Sequence, residues 1–181
     1  MIVLETERLR LRTWKQADRE PFARLNADPR VREFFPRVLS KSESDAEADR
    51  VEEHFRRNEF TFFAAELRES GEFIGFTGLA APSFEAHFTP CVEIGWRLAH
   101  NYWGCGLATE AACAVLRHGF EALRLNEIVA FTVPANVRSR RVMEKLGMIY
   151  SPEDDFDHPG LPEGHPLRRH VLYRIKSPLL P

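Results

Sequence analysis

Residues 91–133 place the tightest constraint on how this 181-residue chain can fold. Cys91–Leu98 alternates, with Val92, Ile94, Trp96 and Leu98 on one face and Cys91, Glu93, Gly95 and Arg97 on the other. That is the pattern of a strand with two unlike faces. A glycine-bearing loop, Ala99–Gly106, leads into a helix from Leu107, where Ala108, Ala111, Ala112, Val115, Leu116, Gly119 and Phe120 share one broad face. Ile128–Val133 is a nearly continuous apolar run, as expected of a strand buried on both sides. Strand, helix, strand in this order implies a parallel pair joined by a right-handed crossover.

The rest of the chain supplies strands and helices in mixed order. Glu7–Thr13 alternates as a first strand. Asp18 is placed to cap a helix running to about Ala27, which Asp28–Pro29 ends. Ser44 with Glu47 has capping-box spacing for a second helix to about Asn58, burying Val51 and Phe55. Phe60–Glu66 and Phe73–Ala80, with a turn at Ser70–Gly71, read as an antiparallel hairpin. Ala81–Pro90 reads as a loop. A short helix, Asn136–Lys145, closes at Gly147. Ser151–Pro166 is rich in Pro, Asp and His and reads as a loop, before a last strand at Arg169–Ile175. The expected fold class is α+β around one mixed sheet, in a single domain over 1–181.

Composition excludes several functions. Lys+Arg 25 against Asp+Glu 27 leaves no global charge for nucleic acid or an anionic membrane. No apolar stretch is long enough to span a bilayer, and the N-terminus turns polar too soon for a signal peptide. Three cysteines without a CxxC argue against a disulfide framework or a zinc site and for a reducing cytoplasm. The acidic and imidazole residues of Ser151–Pro166 lack HExxH spacing, so no metal is expected. That loop reads either as exposed surface or as an acidic lid over a pocket, where its carboxylates would attract an ammonium group. Phe34, Phe35, Phe84 and Phe88 either wall the same pocket or belong to the core.

Gly104 and Gly106, between a strand and a helix, let the backbone turn tightly and approach a ligand. The free N–H groups of the first helical turn then form an anion site, and phosphate fits it. A plain turn needing glycine for its dihedrals is the simpler alternative. A dinucleotide fingerprint fails at Thr109, and no Gly-Lys-Ser/Thr is present for a P-loop.

Val92–Leu98, followed by Tyr102-Trp103-Gly104-Cys105-Gly106-Leu107-Ala108-Thr109-Glu110-Ala111, resembles the central motif of the GNAT superfamily of acetyl-CoA-dependent N-acyltransferases, Gln/Arg-x-x-Gly-x-Gly/Ala. Asn101 departs from it at the Gln/Arg position, removing a long polar or charged side chain. Asn136-Val137-Arg138-Ser139, then Val142–Met148, is similar to the family's late helix. So is the opening, Glu5–Arg12, to the subgroup of ribosomal-protein N-terminal acetyltransferases. The resemblance implies that Cys91–Leu98 and Ile128–Val133 splay apart to form an acyl-CoA cleft. It puts pantetheine on backbone around Trp96, Arg97 and Leu98, with Asn136 adding a side-chain bond. It puts the pyrophosphate on Gly104, Cys105, Gly106, Leu107, Ala108 and Thr109, near Asn101. The acceptor is then an amine, small molecule or protein N-terminus, and a homodimer is compatible.

Acetyl transfer to an amine needs a neutral nucleophile and a protonated leaving thiolate. Glu93 is the candidate base, acting directly or through water; a solvated carboxylate or a pair with Arg97 is the alternative. A base role predicts a Glu93→Gln loss that is worse at low pH. Ser139 shares a helical face with Val142, Met143 and Leu146, so its hydroxyl points inward. It either bonds a carbonyl one turn back or, as the resemblance implies, meets the cofactor sulfur. Asn136 is also an expected N-cap. Cys105 reads as passive despite its place at a helix N-terminus. Arg138, Arg140, Arg141 and Lys145 form either a solvated basic face or an attraction for the adenosine phosphates. The rival of a different class is a catalytically inactive acyl-CoA-binding module.

Overall fold

The computed structural model describes residues 1–178, the side chain of Ile2 apart. They fall into two compact units. The first comprises Met1–Ala80 and Gly95–Val115, and the second begins with Ala81–Ile94 and resumes at Leu116.

In the first unit, β1 (Ile2–Glu5) pairs antiparallel with β2 (Leu9–Arg12). The sequence reading made Glu7–Thr13 the first strand. The Ile2-Val3-Leu4 run ahead of it forms a strand of its own, and the chain turns at Thr6, whose hydroxyl accepts from the Leu9 N–H at 2.9 Å. α1 (Arg19–Ala27) and α2 (Lys41–Asn58) follow, then β3 (Phe62–Leu67) and β4 (Phe73–Ala80), the expected hairpin. The capping box of α2 is Ser40 with Glu43, not Ser44 with Glu47. Both pairs have the same spacing. Ser44 is instead buried inside the helix, where its hydroxyl accepts from Asn26 Nδ2 at 2.9 Å.

Asp18 stands at the α1 N-cap position but makes no side-chain cap there. Its carboxylate takes a two-point bond from Arg12, at 2.7 and 2.8 Å, and the Lys15 N–H at 2.7 Å. Arg12 also donates to Glu66 at 2.6 Å, and all three side chains are buried. A guanidinium shared by two carboxylates outcompetes an orphan helix N–H, because charge-assisted bonds are the stronger ones. The core above it joins Phe22 and Leu25 of α1, Ala48 of α2, Ala64 of β3 and Phe73 and Phe76 of β4.

β5 (Glu93–Leu98) passes through both units, as does α3 (Leu107–Glu121). Ala111, Ala112, Val115, Leu116 and Phe120 are buried, as the periodicity predicts, whereas Ala108 is half-buried and Leu107, outside the predicted face, is buried. In the second unit, β6 (Glu127–Thr132) runs parallel to β5, with Glu93 opposite Val129 and the Val129 N–H donating to the Val92 carbonyl. Among the described residues that ladder has a single register pair. α4 (Val137–Lys145) and β7 (Ile149–Tyr150) come next, then β8 (Phe156–Asp157) and β9 (Arg169–Lys176). β9 pairs antiparallel with β6, β7 and β8. The hydrogen-bonded order is β1-β2-β3-β4-β5-β6-β9-β7, one mixed sheet.

Residues 151–166 are more structured than a loop. They carry β8 and a 3₁₀ turn, Pro152–Asp154, which Arg174 holds by two bonds to Asp154 at 2.8 and 2.9 Å while also reaching Glu127 at 2.7 Å. Asp155 and Asp157 pair with Arg169, and Asp157 also with Arg168. These three carboxylates are paired within their own unit, while Glu153 and Glu163 are exposed. Phe88 and Phe156 are buried with Val129 and Leu172, and Phe84 and Phe131 pack against them, so Phe84 and Phe88 belong to the core.

Candidate active site

The turn into α3 lies in the first unit. Gly104 has φ +75° and Gly106 φ +80°, left-handed values that side chains rarely adopt. A β-carbon on Gly104 would meet nothing within 4 Å, and one on Gly106 only the Arg8 Nη2 at 3.5 Å. The backbone here is therefore open to a ligand. The first helical bond runs from the Glu110 N–H to the Gly106 carbonyl at 3.0 Å, which leaves the N–H groups of Leu107, Ala108 and Thr109 ahead of it. Their direction and the helix dipole favour an anion. Cys105 is an exposed free thiol, its Sγ 3.5 Å from the Trp103 carbonyl. Asn101 is exposed and lines an open depression with Asp28, His100 and Tyr102.

Sequence reasoning missed what braces this turn. Arg8 donates from Nη1 to the Cys105 carbonyl at 3.0 Å and from Nε to Glu110 at 2.6 Å. Glu110 also accepts from the Thr6 hydroxyl at 2.6 Å and the Arg8 N–H at 2.9 Å, and these bonds hold its carboxyl below the usual range against the opposing pull of burial. A carboxylate in the first turn of α3 would otherwise repel an anion there. The pairing spans about a hundred residues, so no local pattern announces it.

On β5, the Thr77 hydroxyl donates to the Gly95 carbonyl at 3.0 Å, and the Ala99 N–H donates to Ile74 at 2.9 Å. The Arg97 carbonyl lies so close to Gly75 that a β-carbon there would sit 2.1 Å from it. Backbone groups of residues 95, 97 and 99 thus face β4. By alternation those of Trp96 face the other edge of β5. The Leu98 carbonyl already accepts from the Trp103 indole at 2.8 Å. Of the backbone groups at Trp96, Arg97 and Leu98, those of Trp96 are therefore the best placed for a ligand. The Arg97 side chain pairs with Glu47 at 3.0 Å.

In the second unit, Glu93 is half-buried and has no ion pair among the described residues. Burial raises its carboxyl to about 7, and burial with the nearby Glu93 pushes the Cys91 thiol up to about 11. Asn136 caps α4, its Oδ1 accepting the Ser139 N–H at 3.2 Å and its Nδ2 donating to Thr132 Oγ1 at 3.0 Å. Ser139 is half-buried, and its hydroxyl has no partner among the described residues, so it does not bond back into its own helix. Met143 and Leu146, on the same face, are buried. Arg140 is tied to the Tyr173 hydroxyl at 3.2 Å and the Pro134 carbonyl at 3.2 Å, while Arg141 and Lys145 are exposed.

A model of the acetyltransferase (GNAT) domain matches residues 8–149. An uncharacterised N-acetyltransferase of Bacillus subtilis, YnaD, is 32% identical over 145 residues, covering 80% of this chain and 81% of that protein. A GNAT-family acetyltransferase structure from Bacillus anthracis has a TM-score of 0.78 at 26% identity, covering 98% of this chain and 99% of its own. The ribosomal-protein-S5-alanine acetyltransferase of Vibrio fischeri shares the fold at TM-score 0.75 and 19% identity, covering 97% and 96%. The chain belongs to the GNAT acetyltransferases. It is an acetyl-CoA-dependent acetyltransferase.

Proposed function

We propose that residues 1–181 act as one N-acetyltransferase domain that passes the acetyl group of acetyl-CoA directly to a primary amine, small molecule or protein N-terminus, in a reducing cytoplasm. The observation that carries the direct route is Glu93, a carboxyl raised to about 7 by burial and held by no ion pair among the described residues. Such a group is ionised in the range where an amine still needs a proton removed. Gly104, Cys105, Gly106, Leu107, Ala108 and Thr109 cradle the pyrophosphate through backbone N–H groups, and Trp96, Arg97 and Leu98 mark the strand that pantetheine follows. Asn136 orients α4 by capping it, and its amide keeps a second N–H that is free to bond the pantetheine. Three free thiols and no helix long and apolar enough to cross a membrane, among the described residues, agree with the setting.

Glu93 takes the amine proton, directly or through water. The amine nitrogen bonds to the acetyl carbon, the carbon–sulfur bond breaks, and the sulfur leaves with a proton from the Ser139 hydroxyl, which solvent restores. Release of free thiol from acetyl-CoA with a panel of amines tests the reading; no release with any amine points to an inactive binding module. For Ser139 the expected result is a kcat about tenfold lower in Ser139→Ala. General acids give more, but a half-buried hydroxyl can be replaced by water. Coenzyme A affinity and melting temperature should stay near wild type, because the hydroxyl supports nothing in the helix. A normal kcat rules out the donor role.

A further inference from the structure

The chain between α1 and α2, with the outgoing part of β5, collects two guanidinium groups and too little negative charge to match them. Arg32 is 8% exposed and the Arg97 side chain 11%. Both stack on Phe35, at 4.2 and 4.5 Å from the ring centroid, and Arg97 also lies over Phe76 at 4.9 Å. Arg97 gives one nitrogen to Asn26 Oδ1 at 2.9 Å and Glu47 Oε1 at 3.0 Å, and its Nε is buried with no partner. Arg32 donates from Nε to the Arg37 carbonyl at 3.0 Å, and among the described residues no carboxylate forms an ion pair with it. Arg37 and Glu43 pair with each other and cancel. Two buried cations are left with Glu47, which Asn26 Nδ2 also occupies at 3.1 Å.

Burial, with Arg97 close by, lowers Arg32 to about 10, so it stays charged at neutral pH. A buried cation without a counter-ion is costly, and cation–π stacking offsets only part of that cost. Packing alone would favour an apolar residue at position 32. A guanidinium there makes sense for a planar, two-point partner such as a carboxylate or phosphate. Phe35 is 37% exposed, so the stack reaches the surface. The turn assigned to the pyrophosphate is Gly104–Thr109, so these two guanidinium groups are not spent on it.

We infer that Arg32 and Arg97 form an anion subsite that takes an acidic group, carboxylate or phosphate, carried by the amine acceptor. The inference rests on the acetyl-transfer reading above. It makes the acceptor an amino acid or an amino phosphate and turns polyamines away, since a second ammonium would meet two cations.

Two measurements test it. The first is thermal unfolding in sodium sulfate against sodium chloride at matched ionic strength. Wild type and Arg30→Gln, an exposed arginine paired with Asp28, should both gain several degrees more from sulfate than Arg32→Gln does. Arg32→Lys, which keeps the charge should the glutamine fail to fold, should retain part of that gain. Equal gains in wild type and both Arg32 variants overturn the subsite. The second is thiol release with matched acceptors: an amino acid against its amide, and an amino alcohol phosphate against the free amino alcohol. Wild type should prefer one acidic partner by at least about tenfold in kcat/KM, and Arg32→Gln should lose that preference. Which pair shows it distinguishes carboxylate from phosphate. Wild-type indifference overturns the assignment to the acceptor. No acetylation of any amine, with sulfate stabilisation still dependent on Arg32, overturns the transfer reading and leaves the anion subsite standing.

Discussion

Gly106→Val should bind coenzyme A at least about a hundredfold more weakly while remaining folded, because two lost backbone bonds to phosphate at about 1.5 kcal/mol or more each already reach that factor. The protein itself has room for the new side chain, since the β-carbon would meet only the Arg8 Nη2 at an ordinary 3.5 Å. The loss comes from two other sources. A β-branched residue resists φ +80°, so the turn shifts away from its N–H-forward shape. The methyl groups also stand where a phosphate has to come close. Gly147→Val provides the control for strain alone: its φ is +76°, a β-carbon there meets nothing within 4 Å, and it ends α4. It should lower the melting temperature with little change in affinity. Calorimetric titration with coenzyme A on both variants, with circular dichroism to confirm folding, decides the matter. Wild-type affinity in a folded Gly106→Val removes the pyrophosphate from this turn.

The parts of this protein that were legible in its sequence are those governed by local pattern. The apolar face of α3 reads directly from its 3.6-residue period, and the β3–β4 hairpin and the β5–α3–β6 order from alternation and glycine placement. Ser44 shows where locality fails. Two serine–glutamate pairs four residues apart both fit a capping box, and only tertiary packing, Asn26 against Ser44, decides that the earlier one starts the helix. Asp18 fails in the same way, because its carboxylate is taken by Arg12 at the end of β2 rather than by the helix N–H groups. The first strand and the brief β8 pairing escaped because four- and two-residue elements carry too little periodicity to register.

The candidate site divides along the same line. Gly104, Gly106 and the placing of Ser139 on the face of α4 that carries Met143 and Leu146 follow from spacing. Arg8, Thr6 and Glu110 do not, since their meeting is made by the sheet edge and the helix start folding together. Arg97 was expected to have Glu93 as a possible partner, and its engagement by Glu47 and Asn26 required knowing which face of α2 meets β5. That exchange matters chemically, because it leaves Glu93 without a cation and lets burial alone set its proton affinity.

With a lysine-like acceptor, Glu93→Gln should lower kcat/KM by about 10²-fold near pH 8, with the deficit shrinking toward both pH 6 and pH values above the acceptor's own pKa. With the carboxyl raised to about 7, wild type below that pH is itself protonated and gains nothing over glutamine. Above it, the carboxylate accepts a proton from an ammonium whose pKa is about 8 for an α-amine and about 10 for a lysine-like one. Once pH passes that value the amine is already neutral and the base is dispensable. The deficit is therefore greatest in the window between about 7 and the acceptor's pKa, not at low pH as an ordinary carboxylate would require. Stability moves the other way. A carboxyl whose folded pKa lies above its unfolded value costs stability as pH rises from the ordinary carboxylate range through about 7, so the glutamine variant escapes that cost at pH 8. Reduced turnover with an equal or higher melting temperature at pH 8 is the expected pairing, and it separates lost chemistry from lost fold. A Glu93→Gln profile that runs parallel to wild type at every pH would leave Glu93 orienting the acceptor and transfer the proton to water.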